Sequence, residues 1–134
     1  MIHVVVVEDD AMNALLFRKL LEKRCGYRVT VTESADEVLA LARGADVGLI
    51  LLDVSLANTR HAGEPVNGVD ICRLLKGDPA TRGVPVVLAT AHAMRGDAES
   101  LLAESGADDY VSKPIVDHEA FAEHVRRRVR PEAA

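Results

Sequence analysis

A chain of 134 residues, 49% of them hydrophobic, is long enough for one domain with one sizeable core and short for two. Its net charge of −5 argues against nucleic acid, whose phosphates call for clustered Lys and Arg; the basic run Arg126-Arg127-Arg128 with Arg130 suits a solvated helix face. Cys25 and Cys72 lack metal-ligand spacing, no apolar run reaches membrane-spanning length and no signal-like segment opens the chain, so a reduced, soluble, cytoplasmic protein is expected.

Ile2 to Val7 is a short β-branched run that reads as a strand and leads directly into Glu8-Asp9-Asp10. One acidic residue there suits the start of the next helix, whose exposed amides carry partial positive charge. Three adjacent carboxylates repel one another, a cost best offset by a hard divalent cation with oxygen ligands, such as Mg²⁺. Met12 to Arg24 reads as that helix, with Met12, Leu16, Phe17, Leu20 and Leu21 on its apolar face, Leu15 turned away, and Cys25-Gly26 as its stop. Tyr27, Val29 and Val31 alternate with Arg28, Thr30 and Thr32, the pattern of an outer strand. Ser34-Ala35-Asp36-Glu37 has capping-box spacing for a short helix through Ala42, ended by Gly44.

Leu49 to Asp53 is a continuous apolar run, too short for a typical helix, that ends on a carboxylate. It suits a strand buried on both faces. In open α/β folds the carboxyl ends of the strands frame the ligand crevice, which makes Asp53 the candidate for chemistry. Taken alone, an Asp there is explained as readily by a local turn, so its company has to decide.

Val54 to Asn67 is irregular, with Gly63, Pro65 and Asn67 and no hydrophobic period. Val69 to Lys76 resumes helix and Gly77-Asp78-Pro79 breaks it; Pro85 to Thr90 is a fourth strand, starting on a Pro where the missing amide is tolerated. Ala93 to Ser105 is helix, closed by Gly106. Asp109 to Ser112 is a brief strand leading into Lys113-Pro114, and Asp117 starts a last helix with Phe121, Val125 and Val129 along one face. Pro131 to Ala134 is a frayed tail behind a domain spanning residues 1–130, with no partner domain expected after it. Five strands alternating with five helices predict a doubly wound parallel sheet with right-handed crossovers and helices on both faces.

At the carboxyl ends of these strands lie Glu8 and Asp9, then Asp53, then Thr90, then Lys113, all directed into one crevice. Separately, Thr90 is explained as a helix cap and Lys113 as a surface cation; their joint placement is what asks for a function. The stretches Val7-Glu8-Asp9-Asp10, Leu51-Leu52-Asp53, Ala89-Thr90-Ala91 and Tyr110-Val111-Ser112-Lys113-Pro114 resemble, in that order, the receiver domains of bacterial two-component response regulators, most closely the single-domain members. The match runs from about Ile2 to Arg128.

The resemblance implies a flavodoxin-like sheet of order 2-1-3-4-5 with five helices. It implies that Asp53 accepts a phosphoryl group from a sensor histidine kinase or a histidine phosphotransfer domain, as a carboxylate nucleophile rather than as an enzyme of its own. Glu8, Asp9, Asp53 and the backbone carbonyl of Ser55 would hold Mg²⁺, with Mn²⁺ as a substitute ion. Lys113 and the Thr90 hydroxyl would hold phosphoryl oxygens, with the small Ala91 leaving room for them. Thr90 and Tyr110 would form the switch read by a downstream protein, His92 would tune dephosphorylation, and Leu15 would meet the phosphodonor. A monomer or a weak homodimer, with neither nucleic acid nor membrane as partner, is expected.

The stretch Val54 to Gly68 departs from the family pattern by being several residues longer, which puts the metal role of Ser55 in question. Its extra Asn58, Thr59, Arg60, His61 and Glu64 suggest either a tolerated surface insertion or a lid or partner contact. A degenerate receiver acting only as an interaction module would have lost a carboxylate or the lysine, and none is missing. An Asp-nucleophile phosphatase of the haloacid dehalogenase type usually carries a second Asp where Ser55 stands, and a flavodoxin-like nucleotide binder would want a phosphate loop where Glu8-Asp9-Asp10 stands.

Overall fold

The computed structural model describes residues 2–44, 46–56, 59–91 and 95–130, with the backbone alone for 95–98. In chain order the elements are β1 (His3–Val7), α1 (Ala11–Cys25), β2 (Arg28–Thr32), α2 (Ala35–Arg43), β3 (Val47–Asp53), β4 (Arg60–His61), β5 (Glu64–Pro65), α3 (Gly68–Gly77), β6 (Val86–Thr90), α4 (Arg95–Ser105), β7 (Asp109–Ser112) and α5 (His118–Arg128). Five strands form one parallel sheet in the order β2-β1-β3-β6-β7, which is the expected 2-1-3-4-5 arrangement.

Strand alternation sorts the core into two layers. Val4, Val6, Leu49, Leu51, Val87 and Ala89 face α1 and α5, where Phe17 and Phe121 stack with ring centroids 5.8 Å apart. Val5, Val7, Ile50, Leu52, Val86 and Leu88 face α2 and α3, with Leu101 of α4 packed against them. Every residue of β1, β3 and β6 is buried, as a sheet covered on both faces requires.

Each of four helices starts on a polar cap, Ser34 and Asp117 being the two expected by position. Asp10 accepts from the amides of Met12 and Asn13, Ser34 from that of Glu37, Asn67 from that of Asp70, and Asp117 from that of Ala120. Gly26 takes the left-handed conformation after α1, at φ 71°.

Two expectations need correction. Met12 belongs to no apolar face: it is 77% exposed, because the first turn of α1 projects past the sheet, while Ala14, Phe17, Leu20 and Leu21 are the buried positions. The stretch Val54 to Asn67 is not wholly irregular, since Arg60–His61 and Glu64–Pro65 pair as a small antiparallel hairpin. Ala93, Met94 and the tail from Pro131 lie outside the described residues, as does Asn58.

Candidate phosphoacceptor and metal site

Sheet register brings the carboxylates together. Val7 of β1 pairs with Leu52 of β3, so the next residues, Glu8 and Asp53, emerge side by side at the carboxyl end of the sheet. By alternation both lie on the α1 and α5 side, continuing the rows Val4-Val6 and Leu49-Leu51. Each is 3% exposed. Ligand oxygens of Glu8, Asp9 and Asp53 fall within 4.8 Å of one another, close enough to share an ion. Asp10 takes no part, its carboxylate being committed to the start of α1.

From the edge strand, Lys113 reaches inward. Its Nζ lies 2.8 Å from Asp53 Oδ1 and 3.5 Å from Glu8 Oε1, and its amide donates to the Thr90 carbonyl at 2.8 Å. The Lys113–Pro114 peptide is cis. Thr90 is buried at the end of β6 and, by alternation, shares the face of Leu88. Tyr110 pairs with Leu88 in register and is half-buried on that same face, so the two residues expected to form the switch lie on one side of the sheet. Ser55 is exposed and its amide donates to Asp53 Oδ1 at 3.3 Å. Ala91 is exposed beyond the strand, and His92 lies outside the described residues. Leu15 is 49% exposed on α1, as expected.

The electrostatics are those of an overcrowded anionic pocket. Burial pushes the Glu8 carboxyl up to about 7, and its hydrogen bond and charge contact with Asp53 push the same way, outweighing the help from Lys113. Among the described residues, Glu8 Oε2 is buried with no hydrogen-bond partner. Burial would raise Asp53 as well, but hydrogen bonding with Glu8 and the hydrogen bond and charge of Lys113 hold it below the ordinary aspartate value. Burial would lower Lys113, but its hydrogen bonds and charge contacts with Asp53 and Glu8 together raise it above the ordinary lysine value. A buried oxygen without a donor among the described residues, in a group of three carboxylates beside the Lys113 ammonium, fits a divalent cation.

Outside this pocket a hollow of about 370 Å³ opens between α1 and the end of β2, lined by Glu8, Asp9, Ala14, Leu15, Arg18 and Glu33. Another of about 400 Å³ lies away from the carboxylates, along β7 and the start of α5, between Tyr110, Pro114, Val116 and His124. Two further residues were not singled out from sequence. Gly68 N donates to the Val54 carbonyl at 3.0 Å, and a Cβ at 68 would run into the Asp53 carbonyl. Glu33 is the other; its one prior signal was a position just after a strand end.

The model of the response regulator receiver domain matches residues 4–126. The chain is 40% identical over 112 residues to the polar-differentiation response regulator DivK of Brucella ovis, covering 84% of each. Among solved structures, the receiver domain of a sensor histidine kinase from Pseudomonas aeruginosa PAO1, with magnesium ion coordinated in its active site cleft, superposes with a TM-score of 0.76 at 26% identity over 94% of this chain and 95% of that one. The receiver domain of a signal transduction histidine kinase from Syntrophus aciditrophicus gives 0.76 at 29% identity, over 95% and 89%. With the family model spanning nearly all of the sheet and its helices, the chain belongs to the response regulator receiver domains, a family of signalling domains.

Proposed function

We propose that the chain accepts a phosphoryl group on Asp53 from a phosphohistidine of a sensor kinase or phosphotransfer domain, in a reaction that requires Mg²⁺. The observation that carries this reading is the Lys113 ammonium at 2.8 Å from a buried Asp53 that shares its pocket with Glu8 and Asp9. An Asp53 oxygen forms the new P–O bond as the donor's P–N bond breaks, and the leaving imidazole takes its proton from solvent. Glu8, Asp9 and Asp53, with the Ser55 carbonyl, are the groups to hold the ion. Mg²⁺, when bound there, supplies positive charge against the phosphoryl oxygens and relieves the repulsion among the carboxylates. Mn²⁺ has the same hard-ligand preference.

Lys113 keeps Asp53 ionised and ready to attack, and is placed to share its charge with a phosphoryl oxygen afterwards. The Thr90 hydroxyl is the second donor, and its move toward the new group frees space for Tyr110 to turn inward. Both residues lie on the face packed by α2, α3 and α4, so the change reaches the surface along α4, β7 and α5. A downstream protein would read that surface. A cytoplasmic location goes with a kinase as donor.

The test is incubation with acetyl phosphate and MgCl₂ followed by intact-mass measurement, for the wild type and Asp53→Asn. The reading expects one phosphoryl group on the wild type, none on the variant, and none in EDTA. Undiminished labelling of Asp53→Asn or in EDTA would refute it.

A further inference from the structure

The hairpin after Asp53 grows from a closed base. The bond from Gly68 N to the Val54 carbonyl brings the chain back to the point where it left β3, so residues 59–66 stand outside that junction. Their far attachment is at the entry to α2. Thr59, 4% exposed, donates its hydroxyl to the Glu33 carbonyl at 2.8 Å and accepts the Val66 amide on its own carbonyl at 2.9 Å. Nearby, His61 Nδ1 lies 3.0 Å from Asp36 Oδ1.

Glu33 is thereby held from one side by the hairpin. Its two chain neighbours are bonded as well: Glu8 N donates to the Thr32 carbonyl at 3.2 Å, and Ser34 N to Thr32 Oγ1 at 3.0 Å. The exposed Glu33 side chain lines the hollow with Glu8, Asp9 and Leu15. Arg18, the basic residue lining that hollow, lies 3.5 Å from Glu22, so the balance at the mouth is acidic.

We propose that Glu33 is a specificity-determining residue for the phosphoryl donor, and that Thr59 of the inserted loop is the positioning residue that holds it at the mouth of the pocket. The inference rests on the phosphoacceptor reading and extends it. A carboxylate lining the hollow beside Glu8 and Asp9 acts oppositely on ions of opposite sign. It draws in a divalent cation and repels a small dianionic donor such as acetyl phosphate, whereas a phosphohistidine carried on a protein surface brings counter-charges of its own. Donor choice is then set partly by an element outside the reacting groups.

The experiment compares the wild-type chain with Glu33→Gln, Thr59→Val and Thr59→Ser. Mg²⁺ affinity is measured by calorimetry, and the rate of labelling by acetyl phosphate is measured at saturating Mg²⁺. At low ionic strength Glu33→Gln should weaken Mg²⁺ binding and speed labelling, each by about threefold, and both differences should fade toward about 0.5 M salt. Thr59→Val should shift both quantities the same way to a smaller extent, and Thr59→Ser, which keeps the hydroxyl, should match the wild type. A fall in both affinity and rate would mean general damage to the site and would overturn the proposal, as would an unchanged Glu33→Gln. If Glu33→Gln responds and Thr59→Val equals the wild type, the role of the hairpin is refuted. A wild type that binds Mg²⁺ yet takes no label would overturn the phosphoacceptor reading and with it donor selection, while the Mg²⁺ affinities would still report whether Glu33 faces the pocket.

Discussion

Lys113 Nζ stands 2.8 Å from Asp53 Oδ1 and 3.5 Å from Glu8 Oε1, so a single ammonium from the edge strand faces two buried carboxylates from the middle of the sheet. One positive charge cannot offset both, and Asp9 adds a third acidic group. Asp53 takes the shorter contact and stays ionised, while Glu8 is left favouring its proton.

This division predicts a pH dependence. In the folded protein the Glu8 pKa is raised from 4.5 to about 7, so the folded state holds a proton that the unfolded state has released. The sign follows: stability that Glu8 contributes in full below about 4.5 is lost as pH rises through about 7. Asp53 is shifted down and acts in a window below its ordinary value of 3.8, so it does not interfere there. Metal-free Glu8→Gln should therefore gain urea resistance over the wild type as pH goes from 5 to 8, a range that spans the Glu8 shift. Saturating Mg²⁺ should reverse that advantage by stabilising the wild type selectively. Parallel midpoints for the two proteins across pH would contradict the assignment.

Asp9 and Asp10 should separate cleanly. Asp9→Asn removes a prospective ligand and should weaken Mg²⁺ binding at least tenfold, on the order of one charge-assisted contact. Asp10→Ala removes the cap that accepts the Met12 and Asn13 amides, and should cost about 1 kcal/mol of stability with Mg²⁺ affinity nearly unchanged. Calorimetry and chemical denaturation on the same samples decide, and an equal loss of affinity in both variants would put Asp10 inside the site.

Gly68→Ala tests how the site is founded. A Cβ at 68 meets the Asp53 carbonyl and sits near Val54 Cα, both backbone atoms that cannot swing aside. The substitution should destabilise by about 2 kcal/mol or more and lower Mg²⁺ affinity, because the strain is relieved by shifting the backbone that carries Asp53. Gly77→Ala serves as the control, since a Cβ there has nothing within 4 Å.

Sequence periodicity carried most of the fold because fully buried strands and capped helices leave local marks: Val4 to Val7, Leu49 to Leu52 and the caps Ser34 and Asp117 all lie where expected. The joining of Glu8, Asp53 and Lys113 was legible for the same reason, each being placed by a strand end. What stayed hidden depends on long-range closure. Thr59 reaches a carbonyl 26 positions away, and two-residue strands have no period to detect. Met12 was misjudged because spacing alone does not say how far a helix extends past the sheet.

The partner surface gives the last prediction. Met12, Leu15 and Val116 are large apolar side chains left 77%, 49% and 90% exposed, on segments that follow the carboxyl ends of β1 and β7. Leu15 also lines the hollow shared with Glu8 and Asp9, so an apolar contact and two of the pocket's carboxylates are offered together. A helical phosphotransfer domain needs both: its histidine must reach Asp53 while its flanks lose water against something nonpolar. Acetyl phosphate needs only the pocket. Leu15→Asp should thus slow transfer from a phosphorylated phosphotransfer domain by tenfold or more, about the loss of one buried leucine contact, and slow acetyl phosphate labelling far less. Since Leu15 is half exposed, melting temperature should move little. Equal slowing with both donors, or a large drop in stability, would place Leu15 in support of the fold and leave the docking surface elsewhere.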